Sequence, residues 1–319
     1  MKAKVELLKV CAGLLAGGLF TAGSAYADAY AVSADNVKNG FISATGSVTF
    51  GSVLSNSSTS ASLNGSGTSH ASNTVNPDSP ISALGSASGR ANETVDGSGY
   101  YTLIGSNGTN YSWGDARVVQ EQTATATITA RNAAETNISG TGFGNADGTN
   151  SSSTQLAVTV GANGGPSTIS FQFDADPFIM AALDAGASAG SVARGVLVFT
   201  ITLTNTSTNA VVFSWSPDGS LGSGIVGGTE TADAENLNLT LAAFAGQTLT
   251  HSGPYAAGTF GHYAATTNTL AAGNYSMSIT MSEKTDVQRV PAIPEPETYA
   301  LMFAGLAAVG FMARRRRGG

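Results

Sequence analysis

Few residue types in this chain could do chemistry, and their spacing builds no recognisable site. The three histidines are His70, His251 and His262, and the single cysteine is Cys11. His251 and His262 flank SGPYAAGTFG, a predicted loop between two strands. A metal site needs several ligands, and no third one is evident, so surface or loop histidines are expected. Asp174 and Asp176 in FDADPF offer oxygens to a hard cation, as do Asn145 and Asp147. Neither fragment completes a calcium-loop pattern, and Asp176 before Pro177 reads as a helix start. Gly222, Gly224 and Gly227 satisfy G-x-G-x-x-G, but no strand directly precedes them and no helix follows. Among 40 glycines such spacing arises by chance, so a dinucleotide site is not expected. Neither G-x-x-x-x-G-K-[ST] nor G-x-S-x-G occurs. The expectation is a chain without catalytic residues, metal or cofactor.

Composition narrows the classes further. The chain has 319 residues, a net charge of −7 and only 11% charged residues, against about a quarter in ordinary domains. Ser and Thr together number 73. One thiol excludes a disulfide framework and any cysteine-built cluster. Between Asp28 and Val290 there are 7 basic and 18 acidic residues, a net of −11. Such a body repels phosphate backbones, so no nucleic-acid partner is expected.

The N-terminus reads as an export signal. Lys2, Lys4 and Lys9 precede an apolar run from Val10 to Phe20, followed by Ala25-Tyr26-Ala27. Basic start, short apolar core and small-x-small site define a signal peptide over residues 1–27, cleaved between Ala27 and Asp28. The export translocon and signal peptidase are its implied partners. The apolar core is too short for a membrane span. Cleavage would remove Cys11.

The C-terminus, residues 291–319, stacks three pieces. Pro294-Glu295-Pro296 is extended, because proline fixes φ and disfavours helix before it. An uncharged run follows from Tyr299 to Ala313, carrying Leu301, Met302, Phe303, Leu306, Val309, Phe311 and Met312. Arg314, Arg315, Arg316 and Arg317 close it. As a helix the run spans roughly 22 Å, short against a ~30 Å hydrocarbon core. Snorkelling arginines and local thinning can compensate. The positive-inside rule puts both basic ends in the cytoplasm and the body outside. This tripartite order resembles the PEP-CTERM sorting signal of Gram-negative bacteria, and residues 294–306 match its form P-E-P-E-T-Y-A-L-M-x-A-G-L. The resemblance covers about 29 of 319 residues. It implies transient residence in the inner membrane, handling by an exosortase near the PEP tripeptide, and delivery to the cell surface or extracellular polymer matrix. Exopolysaccharide and biofilm association are also implied.

The body divides by composition. Residues 28–153 are rich in Ser, Thr, Gly and Asn and are predicted to be β or loosely ordered. Ser52 to Asn76 is expected to be loose, because it offers little apolar surface to offset chain entropy. Arg117–Thr129 is a predicted strand with alternating threonines. Residues 154–290 carry tighter alternation at Leu156/Val158/Val160 and Ile169/Phe171/Phe173, and strands at Val196–Thr204, Val211–Trp215, Leu237–Leu241, Phe260–Ala264 and Tyr275–Met281. Pro177–Ala185 is the one predicted helix of the body, and Val287–Ile293 a spacer. The fold class expected is all-β, a sandwich or jelly-roll. Ten N-x-[ST] sequons, among them Asn205, Asn238 and Asn274, are turn formers or glycan acceptors. The functional expectation is a non-enzymatic exported surface or matrix protein. The alternatives are a carbohydrate-binding module using Trp215, Tyr255, Tyr263 or Tyr275, and a secreted hydrolase built on paired carboxylates.

Overall fold

The computed structural model describes residues 29–75, 81–86, 103–105, 109–121, 126–139, 144–162, 166–251, 260–290 and 303–307. The body is all-β, two antiparallel sheets face to face. Sheet A runs in the order β12 (Gly228–Asp233), β15 (Gly261–Thr267), β8 (Thr168–Leu183), β1 (Ala29–Thr45), β6 (Ala126–Ile138), β5 (Tyr111–Glu121), β4 (Ile81–Ser86), and β14 (Gln247–His251) also pairs with β8. Sheet B runs β11 (Ile225–Val226), β10 (Val211–Trp215), β9 (Val192–Asn205), β16 (Gly273–Arg289), β7 (Gly144–Val160), β2 (Val48–Leu63), β3 (Ser66–Val75), and β13 (Leu239–Ala243) also pairs with β9. Strands from 28–153 and from 154–290 contribute to both sheets. β1 pairs with β6 and β8, and β7 lies between β2 and β16.

Alternation decides which side chains enter the space between the sheets. At one end they are large. Phe173 stacks on Tyr263 with centroids 4.9 Å apart and meets Phe199 at 4.8 Å and Trp215 at 5.6 Å. Phe171 stacks on Phe213 at 5.2 Å. Such pairs add about 0.5–1.5 kcal/mol each beyond area burial. At the other end the filling is small: Ala29, Ala31, Ala181, Ala193 and Ala243 with Ile138, Leu183 and Val287.

Between these clusters lies a polar band of Ser33, Asp35, Ser55, Ser57, Thr59, Asn132, Ser152, Thr154 and Glu283, all buried. Several of these groups bond across the gap to the backbone of the opposite sheet. Ser33 donates to the Val196 carbonyl at 2.8 Å, Ser57 to Ala116 at 3.5 Å and Asn132 Nδ2 to Met281 at 3.2 Å. Small residues let the sheets approach closely here. A Cβ on Gly114 would lie 3.0 Å from the Thr149 carbonyl, and one on Gly195 2.8 Å from Ile179 Cγ1.

Four local expectations are corrected. Pro177–Ala185 is not a helix: residues 177–183 are the second half of β8, where 177–179 are buried in succession. A short apolar run fits a doubly covered strand as well as a helix, and β8 has neighbours on both sides. Ser52–Asn76 is not loose but forms most of β2 and β3. Arg117–Thr129 is not one strand but the end of β5 and the start of β6, which pair with each other. The spacer expected from Val287 is still strand as far as Arg289.

Candidate functional site

The outer face of sheet A is partly covered. Tyr30, Val32, Tyr111, Trp113 and Phe178 cluster there with Leu103 and Met180. Glu135 pins the covering segment. Its carboxylate accepts from Tyr30 Oη at 2.7 Å, Trp113 Nε1 at 2.7 Å, Ile104 N at 2.9 Å and Gly105 N at 2.7 Å. Burial, then the Glu135 charge, raises the Tyr30 hydroxyl well above its usual range. Four donors around one carboxylate make a structural clasp, and no sequence spacing announces it.

Further along that face, Lys38, Asp174 and His262 share one register row across β1, β8 and β15. Asp174 accepts from Asn39 Nδ2 at 2.7 Å and lies 2.9 Å from His262 Nδ1. His262, then Asn39 and the Lys38 charge, hold its carboxyl below the usual range against partial desolvation. Lys38 Nζ sits 3.3 Å above the Phe260 ring, a cation–π contact. Asn39 takes a left-handed φ of 52° at the bulge in β1. His251 is not brought to His262. They face Ile179 and Asp174 of β8, five residues apart, roughly 17 Å along a strand. Asp176 is buried in strand rather than capping a helix.

The glycine-rich turn has its amides already engaged. Asp233 Oδ2 accepts from the backbone N–H of Asp218, Gly219 and Ser220 at 2.9–3.1 Å. Glu230 accepts from Gly222 N at 2.7 Å and from Trp215 Nε1. The chain's own carboxylates occupy the N–H groups a phosphate would use. Burial raises both carboxyls, against the pull of these donors. Gly227 has φ 74°, and a Cβ there would collide with the Val212 carbonyl.

The outer face of sheet B is different in kind. Its rows run in register across four strands: Leu54–Gln155–Ser278–Thr202, then Asn56–Ser153–Thr280–Thr200, then Ser58–Ser151–Ser282–Val198. Eight of these twelve positions carry hydroxyls, two carry amides and none is charged. Strands lie about 4.8 Å apart and alternate residues about 6.7 Å apart, so the hydroxyls form a two-dimensional array. At one end the face dips into a trough of about 490 Å³ lined by Thr149, Arg194, Val196, Val198, Ser282 and Lys284. That volume lies within the ordinary range of ligand clefts.

Three of the four aromatics expected to stack on sugars are not on this surface. Trp215 and Tyr263 are completely buried and Tyr275 is 3% exposed. Tyr255 lies outside the described residues. Two sequons also serve the fold. Asn238 Nδ2 donates to Phe199 and Pro217 carbonyls at 2.9 and 3.0 Å. Asn205 caps a turn through Ser207 N and Thr208 N.

The C-terminal end leaves the body from the middle of sheet B. β16 is paired on one side with β7 and on the other with β9. Its end is fastened. Arg289 is buried with Nη2 3.9 Å from Asp184 Oδ1, and Val290 N donates to Ser191 Oγ at 3.1 Å. Residues 291–302 lie outside the described set, and with them Pro294, Glu295, Pro296, Tyr299, Leu301 and Met302. Residues 303–307 are helical, with Phe303 and Leu306 exposed. Val309, Phe311, Met312 and Arg314–Arg317 lie outside it, as do Ala25, Ala27 and Asp28. Among the described residues no helix is long and apolar enough to cross a membrane. Residues 292–317 match the model of the PEP-CTERM protein-sorting motif.

The C-terminus is a PEP-CTERM sorting motif. It implies export, a membrane-anchored precursor and processing by exosortase. The sorting motif begins two residues beyond Val290, the last described residue of the body. No curated protein and no solved structure matches the chain.

Proposed function

We propose that the chain is a non-enzymatic exported protein, released from its membrane-held precursor by exosortase and placed at the cell surface or in the extracellular matrix of a Gram-negative bacterium. The carrying observation is the sorting motif, set directly behind the fastened end of β16. The non-enzymatic reading is supported by what the polar side chains do. Glu135, Glu230, Asp233 and Asn238 are each spent on the fold's own donors and acceptors. The hydroxyl array of sheet B and the trough at its end supply the surface for exopolysaccharide. That surface offers many weak hydrogen bonds to a repeating polyhydroxyl chain, and repetition adds them into avidity.

Intact mass spectrometry of protein from native cells and medium tests the route. The expected mass begins at Asp28 and ends near Pro294–Pro296, with or without an added group. A mass running to Gly319 overturns exosortase release. Co-sedimentation with the cells' own matrix polysaccharide tests the surface separately. Thr202→Asp with Thr280→Asp, placing charge in the array, is expected to abolish it.

A further inference from the structure

Both ends of the body meet at one pole of the sandwich. Ala29, the first described residue, pairs with Leu183 and Ile138. The loop after Leu183 runs from sheet A to sheet B and delivers the chain to β9, whose first residue, Val192, pairs with Gln288 of β16. The export signal read over residues 1–27 and the sorting motif at 292–317 therefore join the body at the same end. Two turns close this pole, and they are tied to each other. Gly246 N donates to the Leu183 and Asp184 carbonyls at 2.9 and 3.0 Å. Ser191 N donates to the Ser188 carbonyl at 3.0 Å, and Ser191 Oγ accepts from Val290 N. Residues 185–190 (AGASAG) and 244–247 (FAGQ) carry no charge, and Asp184 beside them is turned to buried Arg289. Phe244 stands out from this cap with 58% of its surface exposed. Its turn is closed twice: Phe244 N donates to Gln247 Oε1 at 2.9 Å, and Gln247 N donates to the Phe244 carbonyl at 2.9 Å.

A single exposed ring is ordinary on a protein surface. What gives this one a partner is where the chain goes next. Eight residues, 291–298, separate Val290 from the apolar run that starts at Tyr299. Fully extended they reach about 29 Å, and the headgroup layer takes up roughly 5–7 Å of that. β16 alone, with 17 residues, is about 58 Å long. The tether is thus about half as long as the strand it leaves. It confines this pole, and not the far one, to the bilayer surface at an effective concentration in the ~mM range, where a weak contact suffices. On the reading that the precursor is membrane-anchored, we infer that this pole docks on the phospholipid headgroups of that membrane, with Phe244 inserted as an interfacial anchor. An aromatic ring is favoured at the interface, and an uncharged cap gives up no charge solvation on approach. Asp286 and Arg194, exposed on sheet B and paired in register, stand about 10 Å back from the pole, clear of the contact.

The experiment reconstitutes the full-length chain into vesicles of three parts phosphatidylethanolamine to one part phosphatidylglycerol, with and without nitroxide-labelled headgroups. Flotation reports anchoring, and quenching of tryptophan emission reports contact. Trp113 and Trp215 are completely buried, so a new exposed tryptophan supplies the change. Phe244→Trp is expected to lose about half of its added emission to the nitroxides and to shift to the blue, since an interfacial ring lies at their depth. Ser207→Trp, in the turn after β9 at the opposite pole, should be unaffected. An Ala245→Trp reporter should also be quenched, and adding Phe244→Asp to it should restore the emission. Failure of the chain to float removes the anchored precursor and this docking together. A floating chain quenched equally at both poles, or at neither, overturns the docking and leaves the anchor standing. Quenching at Ala245→Trp that survives Phe244→Asp means that the tether alone holds the pole near the lipid, and overturns the docking equally.

Discussion

Glu135 illustrates how a single side chain can hold a segment to a sheet. Removing its carboxylate would strand the donors of Tyr30, Trp113, Ile104 and Gly105 in a buried setting. Glu135→Ala is expected to cost about 3–5 kcal/mol, read by chemical denaturation, while Tyr30→Phe, which loses one bond, costs about 1 kcal/mol. Asp35 sets a pH dependence of stability. Burial, reinforced by Asp176, pushes its carboxyl up to about 8, whereas an unfolded aspartate titrates near ~3.9. Between those values the folded state keeps a proton that the unfolded state has lost. Stability therefore falls as pH rises, by about 1.4 kcal/mol per unit from this group. Thermal melts from pH 4 to 8 should show the slope, and Asp35→Asn should flatten it. None of these pairings is visible in sequence spacing, because β1, β6 and β16 are far apart along the chain and only the register brings them together.

At the scale of the element, the close approach of the sheets depends on residues without bulk. Gly195 lies against Ile179 of the opposite sheet. Gly195→Val should push the sheets apart and cost about 1–3 kcal/mol, measured as a lowered denaturation midpoint. The strands after residue 154 are legible in the sequence, because Leu, Val, Ile and Phe alternate there and mark a buried face. β10 falls at Val211–Trp215 as expected. β2 is not legible, because its inward positions include Ser55, Ser57, Thr59 and Ala61 and outward positions such as Asn56, Ser58 and Ser60 are also polar, and β3 has a sequence of the same small polar kind. Alternation of one small polar residue with another leaves no hydropathy signal. β2 is instead held by its register with β7 and β3, with Ser57 reaching across the gap to the Ala116 carbonyl. The helix expected at Pro177–Ala185 fails for a related reason: continuous burial erases the period that separates strand from helix. At the C-terminus the opposite holds. Its order of proline pair, apolar run and arginines is local, so the sorting motif is readable without any tertiary information.

For the whole molecule, the body should fold without its address. A chain ending at Val290 keeps the pairing of β16 with β7 and β9 and the bond to Ser191, so its melting temperature should match the full-length chain within a degree or two. Ending it at Thr280 removes half of a central strand, including Glu283, and should prevent cooperative folding. Hydrogen exchange should find β16 among the slowest amides, because its hydrogen bonds are flanked on both sides. The same placement governs how the protein bears load. Any tether joined beyond residue 290 pulls along β16, parallel to the strand axis, and so strains two rows of hydrogen bonds in shear at once. An edge strand would peel one bond at a time. A body hung from its central strand therefore resists being stripped by flow, and its mechanical strength exceeds what its thermodynamic stability alone would suggest.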